Sequence, residues 1–184
     1  MKVNLKAISK QQYLIPLKVI AVYLVWRVFH HYALKEGSPV FLFWNQVAYY
    51  VGTIFAAIST FFLKFFVDSA HSDGISICFN SGTNYRVVLV QEHCLAIPAM
   101  VIFTATVLFF PGSWKKKAWF WPIGLFGIVM INVVRIVLVC LAWMHLTPYF
   151  FNLHHSVIYV VLTYGFIFLM MRWWMDYIIA DQPA

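Results

Sequence analysis

The stretch AWFWPIGLFGIVMINVVRIVLVCLAWMHL, residues 118–146, decides the fold. It holds no acidic residue, and it carries Asn132 at its middle and Arg135 just beyond. About 20 apolar residues suffice to cross a bilayer as a helix, and this run exceeds that. A charge near the bilayer centre costs from about 2.5 to well over 10 kcal/mol, so an arginine kept in such a segment points to function. Asn132 and Arg135 stand three residues apart, on one helical face, where both can act on the same object. The plainer reading is an arginine that snorkels from the end of a span to the lipid headgroups.

Composition extends this reading to the whole chain. Of 184 residues, 63% are hydrophobic, 20% aromatic and 10% charged, with a mean hydropathy of +0.81. A water-soluble domain of that composition would expose large apolar patches. The expectation is an all-α polytopic protein of the cell membrane, one integral-membrane domain over residues 1–184. The formal charge of +7 does not indicate nucleic acid, because the basic residues sit at the ends of apolar segments, as the positive-inside pattern places them.

Five spans are expected, at about residues 13–30, 40–65, 95–110, 118–142 and 154–171. No small-residue cleavage pattern follows the first, which reads as an anchor. Residues 68–92 change character: ISICF and YRVVLVQ flank the turn-forming NSGTN, the pattern of a β-hairpin over 75–92. Lys115, Lys116 and Lys117 place their turn in the cytoplasm, and the β-like segment then faces outward. Five crossings would put the N-terminal lysines (Lys2, Lys6, Lys10) outside, against the charge rule. An interfacial segment within residues 31–66, where Asn45 and Gln46 interrupt the apolar run, removes that conflict.

Helical rise places the polar residues in depth. Arg135 is seventeen residues past Ala118, about 26 Å along a hydrocarbon layer of about 30 Å, and so near the outer surface. Cys94 heads the third span at that level, and His154 and His155 head the fifth. Thiolate is the nucleophilic form of cysteine, and neighbouring cations favour it. A histidine can then protonate a leaving amine while a guanidinium donates to the oxyanion of an attacked carbonyl. Cys140 reads as a small buried apolar residue, and Cys78 on the hairpin is a potential disulfide partner of Cys94.

Three motifs in this order, VVLVQEHC, NVVRI and FNLHHS, resemble the archaeosortase/exosortase family of membrane-embedded cysteine transpeptidases over about residues 75–172. The resemblance implies that Cys94, Arg135 and His154 are catalytic, with Asn132 and His155 in support; His155 is the alternative histidine. It implies cleavage of C-terminal sorting signals, each with a hydrophobic helix and a basic end, on exported proteins. An acyl-enzyme on the cysteine would pass the product to a lipid or glycan acceptor at the cell surface. No cofactor is implied. Many members carry a small residue and a glycine after the cysteine, whereas this chain continues Leu95, Ala96, Ile97, Pro98.

Two readings of another class stand beside it. His93, Cys94, His154 and His155 are ligand types that suit zinc or copper, although adjacent ligands rarely point at one ion and Arg135 would repel it. The other is a non-catalytic helix bundle in which Arg135 pairs with a partner's carboxylate. A serine or aspartyl membrane protease is disfavoured, since the chain has no GxSxG-like turn and no pair of intramembrane aspartates.

Overall fold

The computed structural model describes residues 5–33, 38–82, 84–110, 113–145 and 159–180, with the backbone alone at 5–16, 33, 81, 93, 145, 159–160 and 177–180. These residues form five helices and a small sheet: α1 (Leu5–Ala33), α2 (Pro39–Leu63), β1 (His71–Asp73), β2 (Ser76–Ser81), β3 (Asn84–Leu89), α3 (Ile97–Phe109), α4 (Trp114–His145) and α5 (Tyr159–Ala180). A single 3-10 turn, Glu92–Cys94, joins β3 to α3. Two helices, Pro39–Leu63 and Trp114–Met144, are long and apolar enough to cross a membrane.

Local chemistry explains the boundaries. Ser38 caps α2 by accepting a hydrogen bond from the Phe41 N–H at 3.0 Å, and Pro39 follows as the first helical residue, where a missing N–H costs nothing. At the other end of α3, Lys117 Nζ donates to the Leu108 carbonyl at 2.8 Å, satisfying a terminal acceptor. The sheet is an antiparallel meander, β1-β2-β3, with registers His71↔Cys78 and Cys78↔Val87. Both of its two-residue turns begin with a glycine at positive φ, Gly74 (+55°) and Gly82 (+62°), a backbone state that glycine adopts without steric cost. The β2–β3 hairpin follows the sequence expectation. β1 adds to it: a three-residue polar strand has no alternation to reveal it, and its pairing depends on the Gly74 turn.

Two packed cores lie in sequence along α4. One joins Phe55, Ala56 and Leu63 of α2, Ile77 and Phe79 of β2, and Val133, Ile136, Val137 and Cys140 of α4. The other joins Phe103 of α3, Phe120 and Ile128 of α4, and Ile167, Met171 and Trp174 of α5. Thus α2 packs with the sheet and the C-terminal half of α4. It is one continuous helix through Asn45 and Gln46, the polar pair that interrupts the apolar run.

Contacts along α1 fix its direction. Lys18 Nζ lies 5.6 Å from the Phe109 ring, at the end of α3 that Lys117 caps, whereas His30 reaches Glu92 beside Cys94. The N-terminal half of α1 is therefore level with Lys117, and its C-terminal end with the Cys94 turn. At thirteen residues α3 is about 20 Å long, a little shorter than the sequence suggested because Leu95 and the left-handed Ala96 precede it and Phe110 is already extended.

The two glycines of α4 seat aromatic rings. A Cβ on Gly124 would overlap the Phe103 ring, and one on Gly127 would overlap the Phe166 ring. Phe103 is fully buried, so its ring cannot swing clear cheaply. Gly124→Ala is expected to destabilise the fold by about 1–3 kcal/mol as an overpacking change. Thermal unfolding in detergent checks this, with Gly165→Ala as control, since nothing lies within 4 Å of a Cβ there.

Candidate active site

Cys94 ends the 3-10 turn, half-buried against the first core. Its own N–H donates to the Gln91 carbonyl at 2.8 Å, and the next, of Leu95, donates to Glu92 O at 3.0 Å. Ala96 then adopts a left-handed conformation, φ 56° and ψ 21°, before Ile97 and Pro98 open α3. That conformation costs a non-glycine residue about 1–2 kcal/mol, and such strain gathers at functional sites. Glycine would remove the strain and lose about 0.5–1 kcal/mol through its freer unfolded chain. Ala96→Gly is expected to raise stability by up to about 1 kcal/mol and Ala96→Val to lower it, both read by thermal unfolding.

From α4, Asn132 Nδ2 donates to the Cys94 carbonyl at 2.5 Å. Arg135 Nη1 donates to Asn132 Oδ1 at 3.5 Å, the long end of a hydrogen bond. Asn132 is 0% exposed and Arg135 6%. An arginine enclosed by its own protein does not reach headgroups, so the snorkelling alternative does not describe this side chain. Three of the residues expected at the site, Cys94, Asn132 and Arg135, thus form one bonded chain from turn to helix. His154 and His155 lie outside the described residues, as does the side chain of His93, so the histidine and the proposed Cys/His metal quartet have no geometry to report. All three cysteines are free thiols: Cys78 is not paired with Cys94, and Cys140 is buried as expected. On the sheet, a hydrogen bond donated by the Tyr85 hydroxyl to Cys78, and then the local loss of hydration, push the Tyr85 phenol above its ordinary range, so it stays neutral.

The structure adds a group that the sequence did not indicate. Glu92, two residues before Cys94, has its Oε1 2.6 Å from His30 Nε2 of α1 and accepts from Trp44 Nε1 of α2 at 2.9 Å. Trp26 packs against both partners, its ring centroid 5.9 Å from His30 and 5.8 Å from Trp44. One carboxylate therefore ties both N-terminal helices to the turn that carries Cys94. The pairing spans 62 residues, and no local pattern marks it. The one available signal was an acidic residue two positions before the candidate nucleophile in a chain with only six Asp and Glu.

Comparison of the chain with protein-family models, with curated proteins and with solved structures gives no match.

Proposed function

We propose that this chain is a membrane-embedded cysteine transpeptidase of the exosortase kind, with Cys94 as nucleophile and Arg135 and His154 as its partners. The observation that carries the reading is the bonded chain Cys94–Asn132–Arg135, which links the backbone of a thiol-bearing turn to a buried guanidinium through Asn132. Such a buried cation is expensive to keep and suits a place where negative charge develops during reaction.

In the proposed reaction the Cys94 thiolate adds to a peptide carbonyl, and Arg135 donates to the oxyanion that forms. Collapse breaks the C–N bond, the leaving amine takes a proton from His154 or, in the other register, His155, and a thioester remains on Cys94. An acceptor nucleophile then adds to the thioester and releases the thiol. The substrate class is an exported protein with a C-terminal hydrophobic sorting signal; the acceptor is a surface lipid or glycan.

Topology fits this reading without the charge conflict. This reading takes α1, α4 and α5 across the membrane, with α3 and the turn before it crossing together; Lys18 and Lys115–Lys117 then share the cytoplasmic side, and the sheet and Cys94 stand at the outer one. In this arrangement α2, packed with the sheet and exposing Phe43, Tyr49, Tyr50, Phe61 and Phe62, lies in the interface, where aromatic side chains are favoured.

The test is co-expression with a secreted reporter ending in a hydrophobic helix and a basic tail. Processing should accumulate a hydroxylamine-sensitive thioester on Cys94 when the acceptor is depleted. A reporter cleaved without any adduct on Cys94 would refute the mechanism.

A further inference from the structure

Of the two outer strands, β1 has three residues and β3 six, and the order β1-β2-β3 leaves the far side of β3 without a described neighbour. The register settles which backbone groups face that side. Ser81 and Asn84 close a two-residue turn, so they exchange both hydrogen bonds, and alternation assigns the later bonds to Arg86 and Val88. Val90 N–H donating to Ile75 O at 2.8 Å continues that alternation. The N–H and C=O groups of Tyr85, Val87 and Leu89 therefore point away from β2. Their side chains share the sheet face turned from the core and are 59%, 46% and 48% exposed. Protein sheets commonly guard a free edge with proline, lysine or a bulge, and β3 has none of these at its outward positions. Leu89 lies five residues before Cys94, and Val90 and Leu95 on either side of the turn are buried in the same core as β2 and Val133.

We propose that the outer edge of β3 docks an extended segment of the polypeptide substrate, which adds as a fourth strand on Tyr85, Val87 and Leu89 and is thereby led to Cys94. The inference rests on the peptide-cleaving reading and supplies how the peptide is held. Alternating donors and acceptors, repeating at about 7 Å, are matched by another extended backbone and by no lipid or small ion. Continuity of the edge with the Cys94 turn, inside one packed core, selects the substrate as occupant.

The experiment uses the full-length Cys94→Ala protein in detergent, so that binding is read without turnover. The probe is a labelled peptide of alternating threonine and valine with lysine ends, followed by fluorescence anisotropy. It should bind, the same peptide N-methylated throughout should not, and Val87→Pro should weaken binding about tenfold by removing one outward N–H. Absence of binding, or equal binding of the N-methylated peptide, overturns the proposal. The peptide comparison also covers the case in which Val87→Pro fails to fold. Val87→Cys protein that forms disulfide dimers in vesicles at the expense of peptide binding would assign the edge to a second copy, and that too overturns it. A failed mechanism at Cys94 leaves the anisotropy readable, and a failed anisotropy leaves the Cys94 adduct test intact.

Discussion

Arg135→Lys is expected to leave the protein at normal abundance in the membrane and to cut substrate processing by about 10²- to 10³-fold, the usual cost of one oxyanion donor. Lysine keeps the charge and a similar reach, so any role that needs a cation alone survives the change. It lacks the planar fork that lets one guanidinium bond Asn132 and still present a second N–H elsewhere. Asn132→Ala removes the bond to the Cys94 carbonyl and should be milder, because the turn retains its own bonds to Gln91 and Glu92. Processing measured against membrane-fraction abundance decides between the two. If lysine kept most of the activity, Arg135 would be a structural cation, and the chemistry would have to rest on the histidines.

Cys94→Ala and Cys94→Ser should both abolish processing while leaving the melting temperature nearly unchanged. The side chain is only half-buried, and the backbone of the turn carries the local hydrogen bonds. A hydroxyl in place of the thiol is far less ionised near neutral pH, so serine should not rescue the reaction. Cys78→Ser should be tolerated for processing. Cys140→Ala should lower stability by about 1 kcal/mol, since it empties space in a fully buried site, without touching the chemistry. Normal processing by Cys94→Ala would end the enzyme reading.

What could be read from the sequence was local. The long apolar run gave α4 at once, and a spacing of three put Asn132 and Arg135 on one face, as the bond between them shows. The β2–β3 hairpin announced itself through β-branched runs about a glycine-bearing turn. What stayed hidden depends on contacts between distant segments. Trp44 and His30 meet at Glu92 from two helices, and nothing in either helix's periodicity marks the residue that will find a carboxylate. The side on which α2 packs was equally hidden, because a run of apolar residues reads the same whether it crosses lipid, lies along it or covers a sheet. Ala96 is a further case: alanine gives no hint of a left-handed backbone, and only the turn geometry demands it.

The ring seats at Gly124 and Gly127 act as a keyway for α4. Phe103 and Phe166 come from two different helices, so the helix cannot turn about its axis without unseating both. A rotation of about 30° would carry a side-chain tip about 3 Å sideways, enough to part Asn132 from the Cys94 carbonyl. Random mutagenesis scored for lost processing should therefore return larger residues at Gly124 and Gly127 together with changes at Asn132. A geneticist mapping such alleles would find two positions one and two turns below the site behaving as though they belonged to it.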